Sequence, residues 1–152
     1  MKLSNTAKVM TIVAVFALAL TAAPAAKAAD LRCSNDTLRG AYSDQDTGTI
    51  FGTGPGTGPL VGVNVDTFDG RGNITISGWG SVGGSGGSFS VATGTYQVNP
   101  DCTGTYTVTG GIEAFFVIDE AGNELKIVIQ NPGTAINCVA RKQFPEHHDE
   151  RQ

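Results

Sequence analysis

From Val61 to Tyr106 the chain alternates side chains with a period of two. The alternation breaks only at short clusters of turn residues: Asp69-Gly-Arg-Gly-Asn73, Gly83-Gly-Ser-Gly-Gly87 and Asn99-Pro-Asp-Cys-Thr-Gly104. Such clusters supply the positive φ and local hydrogen bonds that tight turns need, so the pattern specifies antiparallel strands joined by hairpins. Followed in both directions, it predicts eight strands. They cover Gly40 to Phe51, Leu60 to Phe68, Asn73 to Val82, Ser88 to Asn99, the neighbourhood of Tyr106 and Val108, Ile112 to Asp119, Leu125 to Ile129, and Thr134 to Lys142. Ser34 or Asn35 can cap one short helical turn before them, and Gly40 can end it. A meander of eight strands can close on itself and so remove its exposed edges. A two-sheet sandwich would need longer crossing connections than these turns provide. The expected fold is therefore all-β, an eight-stranded antiparallel up-and-down barrel with a short N-terminal helical turn. Its interior would be filled by side chains or just wide enough for one small ligand.

The first residues follow another pattern. Lys2 and Lys8 precede a largely apolar run from Val9 to Leu20, and small residues from Thr21 to Ala29 follow. This is the layout of a secretory signal peptide, with an apolar run too short to span a bilayer. Ala26-Lys27-Ala28 offers small residues where a signal peptidase reads, which places cleavage after Ala28. The expected organisation is a signal peptide at 1–28, a barrel domain at 29–143 and a charged, loose tail at 144–152, in a protein secreted or held in the periplasm. No membrane span is expected after cleavage.

Cleavage would remove three lysines and no acidic residue, leaving seven basic against fourteen acidic side chains, a net charge of −7. A domain this acidic repels phosphate backbones, which argues against a nucleic-acid partner. Cys33, Cys102 and Cys138 would meet oxidising conditions, giving one disulfide and one left-over thiol; spacing leaves all three pairings open. Cys138 shares an alternating face with Ile136 and Ala140, where a thiol would be buried. No Cys-x-x-Cys occurs and both histidines, His147 and His148, lie in the tail, so neither a metal nor a cofactor is expected. The Gly52–Pro59 run lacks the Gly-Lys-Ser/Thr ending of a phosphate loop, and Asp69–Asn73 lacks the carboxylates of a calcium loop.

Cys33-Ser-Asn-Asp-Thr-Leu-Arg-Gly-Ala-Tyr42, Thr67-Phe-Asp-Gly-Arg-Gly-Asn73 and Gly94-Thr-Tyr-Gln-Val-Asn-Pro-Asp-Cys-Thr-Gly-Thr105 resemble motifs of a group of small exported bacterial proteins without an established function. Asn131-Pro-Gly-Thr and Ala140-Arg-Lys-Gln143 add to the likeness. The group's expected fold is similar to the allene oxide cyclase-like barrel, a relative of lipocalin and dirigent barrels. The resemblance implies a Cys33–Cys102 disulfide, an unpaired Cys138 and a tendency to form homo-oligomers. The Gly-Pro-rich segment from Gly52 to Pro59 departs from the compact connection it would suggest.

Chemistry in such a barrel would need inward acids or bases. Asp66 and Glu113 fall within strands and are the candidates for paired carboxylates. One facing assignment turns both inward, Asp66 with Asn64 and Phe68, Glu113 with Phe115 and Val117. The other buries Val61, Val63, Val65, Phe116 and Ile118 and leaves both acids in water. The second is expected, because it buries the purer apolar rows. Three functions remain in play: a non-enzymatic barrel binding a small apolar ligand or a partner, a cyclase- or isomerase-like enzyme acting on a hydrophobic substrate, and a structural surface protein without a pocket.

Overall fold

The computed structural model describes residues 32–144; the expected signal peptide and the tail beyond Phe144 lie outside them. Eight antiparallel strands form one closed barrel in sequential order: β1 (Arg39–Ile50), β2 (Gly58–Asp69), β3 (Asn73–Val82), β4 (Ser88–Val98), β5 (Thr103–Val108), β6 (Ile112–Asp119), β7 (Glu124–Ile129) and β8 (Thr134–Lys142). β8 closes the cylinder by pairing with β1, from Tyr42 opposite Lys142 to Ile50 opposite Thr134. The expected class and topology are both present.

The turns explain the hairpin ends. In the β2–β3 turn, Asp69 accepts hydrogen bonds from the backbone N–H groups of Arg71 (2.7 Å) and Asn73 (2.9 Å) and from the Asn73 amide (2.5 Å). Those donors, the Asn73 side chain first, hold the Asp69 carboxyl down at about 2. The β3–β4 and β4–β5 registers run unbroken through Gly94. A Cβ there would lie 2.0 Å from the Thr107 carbonyl oxygen, so the glycine serves close strand approach.

One end of the cylinder is plugged. A 3₁₀ turn, Asn35–Thr37, carries Leu38 into the interior, where it is fully buried. Tyr96 Oη donates to the carbonyls of Asn35 (2.9 Å) and Leu38 (3.0 Å), and Asn35 Oδ1 accepts from the Val98 N–H (2.8 Å). Tyr42 Oη donates to the Gly122 carbonyl across the same end (2.5 Å). A Cys33–Cys102 disulfide ties the N-terminal segment to the β4–β5 turn, and Cys138 is a free, buried thiol. Above the plug Tyr42, Phe68 and Tyr96 pack edge to face, with centroids 5.3 and 5.0 Å apart.

The facing of β2 corrects the sequence-based expectation. Leu60, Asn64, Asp66 and Phe68 point inward, while Val61 and Val63 stand exposed beside Trp79 on the outer wall. Phe68 must join the aromatic cluster, and with a side-chain period of two that choice sends the valine row outward. β6 keeps the expected facing: Phe116 and Ile118 are buried and Glu113 is in solvent. The disulfide closes a loop with a sequence separation of 69. Replacing both cysteines by serine is therefore expected to lower stability by about 4 kcal/mol in urea unfolding.

Candidate functional site: an acid-floored lumen

The barrel interior divides along its length. The plugged half is packed solid by Leu38, Tyr42, Phe68, Ile74, Phe116 and Leu125. The other half holds a cavity of about 270 Å³, walled by Ile50, Leu60, Ile76, Ala92, Val108 and Ile136 and reaching the rim at Ile112, Asn131 and Thr134. Its floor is polar: Asp44, Asp46, Asn64 and Tyr106. A larger groove, about 630 Å³, runs outside the plugged end past Asn35, Arg71 and Gln97. It lies open to solvent and gathers no buried carboxyl or basic side chain, so the lumen is the stronger site.

Strand register builds the floor. Asp44 and Asp46 are two residues apart on β1 and share its inward face with Tyr42. Across the ladders Asp44 lies opposite Asn64 and Ala140, Asp46 opposite Gly62 and Cys138, and Tyr42 opposite Asp66. Two glycines make room. A Cβ on Gly62 would lie 2.9 Å from Asp46 Oδ2, and one on Gly78 only 2.0 Å from Asn64 Oδ1. Asn64 Nδ2 donates to Asp46 Oδ2 at 2.5 Å, and the Cys138 thiol also hydrogen-bonds to Asp46.

Electrostatically the floor is unbalanced. Asp44 is 4% exposed and Asp66 0%; Asp44 Oδ1 and both Asp66 oxygens have no hydrogen-bond partner. The ion pairs of the described residues, Arg39 with Asp36, Lys126 with Asp119 and Glu124, and Arg141 with Glu124, involve none of these aspartates. Burial, then the charges of Asp66 and Asp46, push Asp44 up to about 8. Burial, then Asp46, pushes Asp66 up to about 7. The Tyr106 hydroxyl is driven up by burial and by Asp66, and the Cys138 thiol by burial and by Asp46. Asp44 thus holds its proton within hydrogen-bond reach of the Asp46 side chain.

Of the two acids singled out from sequence, Asp66 is inward and buried beneath the floor, and Glu113 is exposed on the outer wall, so the two do not form a pair. Asp66 instead joins Asp44 and Asp46, which sequence reasoning passed over. Ser43-Asp-Gln-Asp-Thr47 is polar on both faces, so hydrophobic contrast gives it no direction; the available signal was the Tyr42-x-Asp-x-Asp spacing on one strand face. Carboxylate oxygens of Asp44 and Asp46 and the Cys138 sulfur lie within 4.8 Å of one another, the set among the described residues able to hold a metal ion. His147 and His148 lie outside the described residues. Comparison with family models, curated proteins and solved structures finds no match to this chain.

The raised carboxyls set a pH dependence for stability. Asp44 and Asp66 hold their protons more tightly folded than unfolded, so folding takes up protons between their ordinary value of 3.8 and about 8. Their contribution is complete below about pH 4 and is lost as the pH rises towards 8. Asp46 faces the same space and its charge opposes their ionisation, while Cys138 and Tyr106, also facing it, stay uncharged across the window. Urea unfolding is expected to show stability falling across that window. Asp66→Asn is expected to add about 1–3 kcal/mol at pH 8 and little at pH 4.

Proposed function

We propose that the protein is an exported barrel that binds one small, mostly apolar molecule in the open half of its lumen. The observation that carries this reading is the cavity itself, mostly aliphatic on its walls and closed by polar groups at its floor. Ligand sites are typically concave, largely apolar and furnished with a few placed polar groups, and this one lies just below their usual size range. At about 30 Å³ per water in the liquid, 270 Å³ admits a molecule of roughly ten non-hydrogen atoms, too few for a long-chain fatty acid. Export is supported by the N-terminal leader pattern and is compatible with the disulfide.

A second reading rests on the floor acids and on the resemblance to allene oxide cyclase-like barrels. Asp44, pushed up to about 8, is a proton donor at neutral pH, and Asp46 lies in hydrogen-bond reach as its partner. A cyclase or isomerase of a small hydrophobic substrate could use that pair as general acid and base. Binding that survives Asp44→Asn while turnover stops would favour this second reading.

Indole, with nine non-hydrogen atoms, is a suitable probe for the first. Ligand-observed NMR is expected to detect its binding to the wild type. Ala92→Phe, which places a ring in the cavity, should abolish the signal without lowering the unfolding midpoint. Equal signals from the two proteins would place the ligand elsewhere and overturn the reading.

A further inference from the structure

The lumen has an excess of acceptors over donors, and the imbalance is local. Three carboxyl groups converge from β1 and β2, and no basic side chain of the described residues forms an ion pair with them. Asp46 receives one N–H, from Asn64. Asp44 lines the cavity, is almost wholly buried and keeps Oδ1 without a partner. Behind it Asp66 has two more unsatisfied oxygens. Burying such groups without partners is costly, and the cost falls when something brings hydrogen-bond donors and positive charge. A neutral alcohol brings one donor and no charge. An ammonium group brings three donors and a full charge at one point.

The walls decide between cations. Above Asp44 and Asp46 the cavity is lined by Ile50, Leu60, Ile76 and Ile136, which offer nothing to a hydrated ion. A bare metal between Asp44, Asp46 and Cys138 would leave that apolar space without an occupant. An amine with a compact hydrocarbon body uses both halves of the site. We propose that the lumen is a receptor for a small protonated amine, its ammonium held by Asp44 and Asp46 and its hydrocarbon body by the aliphatic walls. This rests on the lumen-binding reading above and names its ligand class. Because the ammonium stabilises the ionised carboxylates, binding expels protons from the floor, and affinity rises as the pH goes from 6 to 8.

Isothermal titration of the full mature chain at pH 8 with benzylamine, benzyl alcohol and benzoate tests it. Benzylamine is expected to bind at least about tenfold tighter than benzyl alcohol, and benzoate not to bind. Proton release should appear as a dependence of the heat on buffer ionisation. Asp44→Asn and Asp46→Asn, which are near-isosteric, should bring the amine-to-alcohol ratio close to one. If benzyl alcohol matches benzylamine in the wild type, the amine assignment fails and lumen binding stands. If none of the three binds and indole also fails, both fall. Stoichiometric Zn²⁺ that displaces benzylamine from the wild type but not from Cys138→Ser would give the floor to a metal and overturn the assignment.

Discussion

Phe68 meets Tyr42 and Tyr96 edge-on at the plugged end, and the inward direction of that one ring orients everything else on β2. Because successive side chains on a strand point to opposite faces, an inward Phe68 requires inward Asp66, Asn64 and Leu60. The β1–β2 register then sets Tyr42 against Asp66 and Asp44 against Asn64. The aromatic cluster thus gathers the packed half of the core, and it also commits the strand to carrying a carboxyl and an amide into the lumen. Turning β2 over would bury three valines, but it would remove Phe68 from its partners and leave Leu60 outside.

Side-chain volume then divides the cylinder into two chambers. Large residues fill the interior from Leu38 to Phe116, and the interior positions nearer the rim are small or aliphatic: Gly48, Gly62, Gly78, Ala92 and Ile76. In an eight-stranded barrel the bore is only about one layer of side chains wide, so a row of glycines and alanines is enough to open a cavity. Gly62 and Gly78 do more than leave space, since each lies where a Cβ would collide with the Asp46 or Asn64 side chain. The glycines and the polar floor are therefore one arrangement, and replacing either glycine would displace the groups that line the cavity.

Strand number, order and most boundaries were legible because turn chemistry marks them: Asp69–Asn73 and Asn99–Cys102 both end strands where Gly, Asn, Asp and Pro cluster. The inward rows of β7 and β8 were legible too, since Leu125, Ile127 and Ile129 alternate with Lys126, Val128 and Gln130, and Ile136, Cys138 and Ala140 share one face. The facing of β2 was not. Alternation gives two rows without saying which is inside, and a barrel wall can carry apolar residues outward, as Val61, Val63 and Trp79 do. The floor was hidden for a related reason. Asp44 and Asp46 alternate with Ser43, Gln45 and Thr47, so neither row looks like a core, and only the closed register brings Asp66 and Cys138 to them.

A fold that buries Asp66 with neither oxygen partnered, and Asp44 with Oδ1 unpartnered, carries them at a cost to its own stability. Asn64, Cys138 and the glycines show that the surrounding structure accommodates Asp46 while Asp66 and one oxygen of Asp44 go unmet. Buried polar groups in native proteins are ordinarily satisfied, and departures from that rule cluster where something other than stability is being served. Had the floor been selected for packing, leucine or valine at position 66 would serve better, as Phe68 and Leu60 show on the same strand. On the proposed reading, the three acids converging beneath an aliphatic chamber, outside the ion pairs of the described residues, are half of a recognition pair. Its other half would supply what the lumen lacks, donors and positive charge, on a body small and apolar enough to fit above them.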